Sequence, residues 1–453
     1  MVVSIFVTVG TDASHVPHIE LPICTNMEIL VHNLSQTGIT VTQSNQYFKP
    51  RLISPRSSGE VIFKSLRPRC QGGTIICREA ESSAPICEMG AAQFECRTSN
   101  GWIMLKDKKS VRSQWKLFLY KNKEGKSVKR EIYILQNRDP SSFLSELDDN
   151  RPISDLCLPS THDSLSLYGW PISQCQSLST PFAVQLQSGI RVFDVRMSVV
   201  DGQLVAHHGI IPEKTPFTDV LTAINSFFTD PKTSRETIVM SMKQEDSSSP
   251  SDFSKLVHDE LYNGPGGKDL WFLENRIPNL GEVRGKAILF SRFGDGTGWD
   301  NGLEGMGIHP TTWPDSQKDG FQWTLNDTLV RTSDWYDIPS FLSIPDKFSL
   351  ASTNLLPPTG GYTQPTLNIS FFSAASFPLA LPPTVAKGFG FPEWKLGIEG
   401  MNSLLGKWLL SQLDPSSTTV PRGWVFMDFF TSTDDLAALI IECNFSEMKS
   451  EKN

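Results

Sequence analysis

Short apolar runs broken by turn residues fill roughly the first third of the chain. Met27–His32 (MEILVH), Gly38–Thr42 (GITVT), Glu60–Phe63 (EVIF), Gly73–Cys77 (GTIIC), Trp115–Tyr120 (WKLFLY) and Glu131–Leu135 (EIYIL) are rich in β-branched and aromatic residues, with Gly, Ser, Pro and Asn between them. No helical period interrupts the series, so the pattern predicts an antiparallel β-sandwich-like domain over 1–138. Met1–Val9 (MVVSIFVTV) is apolar but lacks a basic flank and a small-residue cleavage site. It reads as a further strand rather than as a secretory leader.

The pattern changes after Asn137-Arg138-Asp139-Pro140. From there, strand-like runs alternate with helical ones. Phe217, Val220, Leu221, Ile224 and Phe228 mark one buried helix face, with Thr215 as the expected N-cap and Pro216 at the first helical position. Phe253, Leu256, Val257 and Leu261 mark a second helix, and Leu404, Leu405, Trp408, Leu409 and Leu413 a third. Alternation of this kind predicts α/β architecture, a (β/α)8-type TIM barrel with long loops over 139–453.

Length agrees with two domains, because 453 residues exceed one ordinary core. A net charge of −8 leaves no basic footprint for nucleic acid, and any lipid contact has to rest on apolar insertion or a local basic patch. No run approaches the ~20 apolar residues of a membrane span. Of the 8 cysteines, Cys24, Cys70, Cys77, Cys87 and Cys96 cluster near the start without any C-x-x-C pair, so no zinc site is expected. Disulfides and buried free thiols both fit that cluster. N-x-S/T sequons stand at Asn33, Asn326, Asn368 and Asn444. Cysteines and sequons point to secretion and the N-terminus does not; a cytoplasmic protein with peripheral membrane contact is the favoured reading.

The candidate chemistry lies where strands end. Apolar Asp155–Asp163 (DLCLPSTHD) runs into His162 and Asp163. Asp194 and Arg196 share a strand face with Val192, and His208 shares one with Leu204 and Ala206. Lys243 aligns with Val239 and Ser241, Arg292 with Ile288 and Phe290, and Asp428 with Trp424 and Phe426. Strand ends in a barrel ring one mouth, where active sites sit. Two histidines suit proton transfer near neutrality, and Arg and Lys suit the anion of a phosphodiester. Arg196 also places a fixed cation where a divalent ion would otherwise sit, which argues against a metal cofactor.

These residues make a recognisable series. THDS (161–164), FDVR (193–196), HHG (207–209) and MSMKQE (240–245) resemble the X domain of phosphatidylinositol-specific phospholipase C in its bacterial, calcium-independent form. The resemblance runs from about Pro152 to Leu436. It implies His162 as general base on the inositol 2-hydroxyl, held by Asp428, and Arg196 as the charge on the phosphate. It further implies His208, supported by Asp163, as general acid on the diacylglycerol oxygen, with Asp194 orienting the cluster. Products would be diacylglycerol and inositol 1,2-cyclic phosphate. Lys243, Arg292, Asp334 and Tyr336 would bind the inositol ring, and no cofactor would be needed. Metal-dependent relatives place Asn after the first His and acidic ligands on the second strand, where Asp163 and Arg196 stand here.

The first 138 residues depart from that family. Their strand-and-turn pattern resembles aegerolysin-like or lectin-like membrane-binding sandwiches, which implies a binding or targeting module; a structural cap on the barrel is the alternative. Tyr168, Trp170, Phe389, Phe391 and Trp394 are candidates for a lipid-inserting rim. Two other functions compete. A metal-dependent glycerophosphodiesterase or sphingomyelinase-D-like enzyme would need an acidic pair where Asp194-x-Arg196 stands. A non-catalytic lipid- or glycan-binding protein would not need the full set of His162, Arg196, His208 and Asp428.

Overall fold

The structure is a computed structural model that describes residues 25–44, 49–65, 74–90, 101–106, 111–124, 127–294, 306–358, 361, 363–392, 396–433 and 435–446. Met1–Val9, Cys24, Cys70, Cys96 and Trp394 lie outside the described residues.

Alternating apolar positions shape the N-terminal region into two sheets over one core. A five-stranded sheet runs in the order Ser57–Ser65, Thr25–Asn33, Ser127–Gln136, Trp115–Glu124, Trp102–Met104. A four-stranded sheet runs Arg51–Ile53, Ile39–Gln43, Thr74–Glu79, Pro85–Gly90. Ile29 and Val31, Ile39 and Val41, Leu117 and Leu119, and Ile132 and Ile134 point into the shared core, each pair two residues apart. Among the described residues all pairings here are antiparallel except Thr25–Asn33 with Ser127–Gln136, which is parallel. Turn chemistry alone does not disclose that pairing, because its two strands are far apart in the chain.

Beyond residue 138 an 11-stranded sheet dominates. Its longer parallel strands are β1 (Cys157–Thr161), β2 (Val192–Val200), β3 (Thr237–Gln244), β4 (Lys286–Arg292), β5 (Thr328–Ser333), β6 (Thr366–Phe371) and β7 (Gly423–Met427). The order is Trp271–Phe272, β4, β3, β2, β1, β7, β6, β5, Phe321–Leu325. Helices α1 (Phe182–Gln187), α2 (Phe217–Thr229), α3 (Pro250–Asn263), α4 (Ile344–Asn354), α5 (Pro382–Lys387), α6 (Met401–Gln412) and α7 (Leu436–Glu442) pack outside it. One face of the sheet gathers Val192, Val239, Ile288, Phe290, Trp424 and Phe426 into a single interior. Phe290 from β4 lies 6.4 Å from Trp323 on the strand at the far end of the order, and 5.5 Å from Trp424. The sheet therefore curls round its own side chains, while no ladder joins its two ends among the described residues.

Two local expectations change. Gln203–His208 is not a parallel strand: it folds back antiparallel on β2 and pairs onward with Ile211–Pro216. Thr215 does not cap α2; Pro216 stands at the N-cap, and the Thr215 hydroxyl donates to the Glu213 carbonyl instead. Three of the sequon asparagines, Asn33, Asn368 and Asn444, are buried and hydrogen-bonded within the core, which closes them to glycan attachment in the folded chain.

The N-terminal sheets sit against α6 and α7. Trp102 lies over Gly406, where a Cβ would come within 2.0 Å of its ring, and its Nε1 donates to the Ser403 carbonyl at 3.1 Å. Arg56 reaches Glu442 at 2.9 Å and Lys116 reaches Asp435 at 2.6 Å.

Beneath the curled sheet, Arg191 and Glu236 form a fully buried pair, with Nη2 and Oε2 2.8 Å apart. Arg191 also donates to the carbonyls of Leu186, Ile190, Pro140 and Ser141, and Glu236 accepts from the backbone of Leu144 and Ser145. The pair ties the segment entering the sheet to β2 and β3. Removing one partner strands a buried charge, so Glu236→Ala is expected to lose about 3–5 kcal/mol of stability in denaturant titration.

Candidate active site

Strand ends bring the ionisable residues together as their alternation predicted. Val192, Val239, Ile288 and Phe290 face the interior, so Asp194, Arg196, Lys243 and Arg292 follow the same face toward the sheet's C-terminal rim.

Arg196 is the centre. Its Nε and Nη2 donate to Asp194 Oδ2 at 3.1 and 2.9 Å. Its Nη2 also lies 2.8 Å from His162 Nε2. A guanidinium can only donate, so Nε2 accepts and the ring proton sits on Nδ1, which meets Asp428 Oδ1 at 2.8 Å. On the other side Arg196 Nη1 lies 3.7 Å from Asp163 Oδ2, and that oxygen stands 2.9 Å from His208 Nδ1. His208 Nδ1 also lies 2.8 Å from the Ser173 carbonyl, so it is a donor and leaves Nε2 free to exchange a proton. Two His–Asp pairs thus flank one guanidinium.

Burial penalises every charge here, and neighbours decide the outcome. For Asp194 burial pushes upward, but Arg196, Arg292 and His162 hold the carboxyl well below its usual range. Asp163 is likewise lowered, against burial, by Arg196 and His208. Burial would lower Arg196, yet Asp194, Asp163 and Glu245 raise it well above its ordinary value. His208 is raised by Asp163 against its own burial. Asp428 goes the other way: burial raises it, and His162 only partly offsets this.

Backbone contacts fix the constellation. His162 N donates to the Met427 carbonyl at 3.1 Å, and Asp163, at φ +41°, donates its own N–H to Asp194 Oδ2 at 3.1 Å. Gln176 Nε2 spans the His162 and Met427 carbonyls at 2.8 and 2.9 Å. Asn402 on α6 donates to the carbonyls of Asp428 and Phe429.

Of the residues expected to bind a polyol, Arg292 contacts the cluster directly, and Lys243 and Asp334 reach it through Glu245 and Trp313. Arg292 Nη1 contacts Asp194 Oδ1 at 3.2 Å and lies over the Trp313 ring at 4.0 Å. Trp313 Nε1 donates to Asp334 Oδ2 at 3.0 Å, which draws Asp334 in beside Arg292. Tyr336 is 39% exposed, with its hydroxyl hydrogen-bonded to Asp315 and pushed up to about 12 mainly by that bond. Lys243 Nζ meets Glu245 Oε1 at 2.6 Å.

Glu245 was not singled out from the sequence, though its carboxylate is central. It faces Arg196 at 3.6 Å, and its other oxygen accepts from Gly209 N at 3.1 Å. Its position two residues after Lys243, on the same face of the strand's extension, was the available signal. Trp313 and Gln176 carry no such signal, because loops bring them in. Among the described residues, His162, Cys175 and Asp428, and also Asp163, Cys175 and His208, lie close enough to hold a metal ion. In each set the imidazole and carboxylate already engage one another, and Asp163 also faces Arg196. A dication would compete with that guanidinium.

Residues 150–293 match the family described as phosphatidylinositol-specific phospholipase C, X domain. The chain is 29% identical over 204 residues to a 1-phosphatidylinositol phosphodiesterase of Staphylococcus aureus (strain Newman), covering 43% of this chain and 60% of that protein. It is 31% identical over 183 residues to a protein of the same name from Listeria monocytogenes, covering 38% of this chain and 52% of that one. The chain thus spans less than two thirds of the length of these curated relatives. A solved structure of the Staphylococcus aureus phosphatidylinositol-specific phospholipase C superposes with a TM-score of 0.53 at 22% identity, over 67% of this chain and 97% of that one, a likeness of fold. Residues 150–293 thus resemble the phosphatidylinositol-specific phospholipase C X domain, and the relatives they match are bacterial phosphodiesterases.

Proposed function

We propose that this chain cleaves phosphatidylinositol-type lipids to diacylglycerol and inositol 1,2-cyclic phosphate, with Arg196 in the place a metal ion would take. The observation that carries the reading is the guanidinium between two His–Asp pairs. His162 Nε2, the acceptor nitrogen, takes the 2-hydroxyl proton once substrate displaces the Arg196 contact. Arg196 then turns to the phosphate, where negative charge develops. His208, protonated and backed by Asp163, delivers a proton to the departing glycerol oxygen. Lys243, Arg292, Asp334 and Tyr336 hydrogen-bond the inositol hydroxyls.

The curled sheet is read as an irregular (β/α)8-type barrel over 139–453, and the two N-terminal sheets as a separate β domain over 1–138. That domain is a binding or targeting module in this reading. Lipid access is supported by exposed apolar groups near the mouth. Trp170 is 63% exposed and Phe391 66%, Phe391 lying on the hairpin Gly388–Phe391/Leu396–Glu399. Phe389 and Tyr168 are also solvent-facing. No helix among the described residues is long and apolar enough to cross a membrane.

In the presence of EDTA, wild-type protein is expected to release cyclic inositol phosphate from phosphatidylinositol vesicles. His162→Ala and His208→Ala should each lower that rate by more than ~100-fold. Recovery of chelated enzyme only on adding calcium or magnesium would favour the metal-dependent phosphodiesterase. The pH profile separates the two histidines. His208 acts protonated, and Asp163 raises its proton affinity, so the alkaline limb of kcat/KM should lie above the ordinary imidazole value. Asp163→Asn removes that anion and should draw the limb down by about one pH unit or more. Replacing Trp170 with Ala should weaken vesicle binding by ~10-fold or more, as expected for lost aromatic burial. Hydrolysis of soluble inositol cyclic phosphate should be unchanged; equal loss on both substrates would place Trp170 in the catalytic pocket instead.

A further inference from the structure

Helix α4 buries Ile344, Lys347 and Ala351, a stripe at i, i+3 and i+7 in which a lysine takes a position patterned for an apolar residue. Each of the three is 0% exposed. No hydrogen-bond partner reaches Lys347 Nζ among the described residues. A buried ammonium without a partner is costly, and such violations of the apolar pattern concentrate at functional sites.

The surroundings indicate what it serves. α4 packs against β5, β6 and α6. Those elements, and β7 beside them, carry further buried polar atoms without a hydrogen-bond partner: Ser333 Oγ at the end of β5, Ser373 Oγ just past β6, Asn402 Oδ1 in α6, and Asp428 Oδ2 directly after β7. Every one can accept, and an ammonium offers three donors. Among the described residues no carboxylate lies within ion-pair distance of Nζ, and Asp334 and Asp428 are the charged groups whose fields act on it. Asp428 uses its other oxygen, Oδ1, to hold His162 Nδ1.

We propose that Lys347 is a positioning residue, a buried cation whose charge keeps Asp428 ionised and thereby holds the proton of His162 on Nδ1. The inference rests on His162 being the general base. A carboxyl 1% exposed is driven toward its neutral form by burial. Neutral Asp428 would no longer orient His162 as an acceptor at Nε2, and a nearby ammonium opposes that neutralisation. Burial also draws Lys347 itself down to about 8, against the pull of Asp334 and Asp428.

The test is the pH profile of kcat/KM for Lys347→Met, a volume-conserving change. Loss of a neighbouring cation favours proton uptake by the His162–Asp428 pair, whichever member receives it. The acid limb is expected about one pH unit higher than in wild type, a ~10-fold loss on the acidic side. The two profiles should converge above about pH 9, where Lys347 is itself neutral. A uniform loss at all pH values, or an unmoved limb, overturns the proposal. Should the variant not fold, the downfield proton resonance of His162 Nδ1 is followed in wild-type protein. A shift with a midpoint near the Lys347 value of about 8 is expected, and invariance through that range overturns the role. That resonance is read without substrate, so it separates a failure of this proposal from a failure of the assigned reaction.

Discussion

The site depends on the Arg196–Asp194 contact more than on any other. Asp194 is fully buried and binds Arg196 through two guanidinium nitrogens, Arg292 through its second oxygen and the Asp163 backbone N–H. Such a multiply bonded carboxylate can stay charged inside a protein, where an isolated one could not. In this grip the guanidinium shares Nη2 between Asp194 and His162 and presents Nη1 to Asp163 and Glu245. The proton position on His162 follows from that geometry, and that on His208 from the Ser173 carbonyl.

Support for the second carboxylate comes from a different quarter. Asp428 stands at the end of β7, and Asn402 of α6 holds the turn that follows. The same helix carries Gly406, which receives Trp102 of the N-terminal sheets. Only a residue without a side chain allows that approach. The N-terminal region therefore packs on the helix that braces Asp428, and the two parts of the chain share one apolar cluster, with Trp102, Phe118 and Tyr133 beside Leu405 and Leu409. Steric fit there bears on a carboxylate buried well inside the sheet's rim.

Much of the fold was legible because it follows short periodicities. The N-terminal strands alternate every second residue, α2 and α3 repeat near 3.6, and both periods record which face is buried. What stayed hidden was long-range. The parallel pairing of Thr25–Asn33 with Ser127–Gln136, and the antiparallel return that carries His208, arise from strand partners rather than from anything local. The first departs from the all-antiparallel expectation, and after the second His208 ends beside Asp163.

By itself, the sequence determined which side chains could do the chemistry. The types and spacing in THD, FDVR and HHG put two imidazoles, one guanidinium and their carboxylates near strand ends, and period-two alternation puts Asp194 and Arg196 on one face. Tertiary structure alone decided which nitrogen of His162 accepts, and that Glu245, Trp313 and Lys347 join the mouth or stand behind it. The reason is physical. Residue type and local period set what a side chain offers and which way it points, whereas hydrogen-bond partners and burial are properties of segments far apart in the chain that meet only when the sheet curls closed around its core.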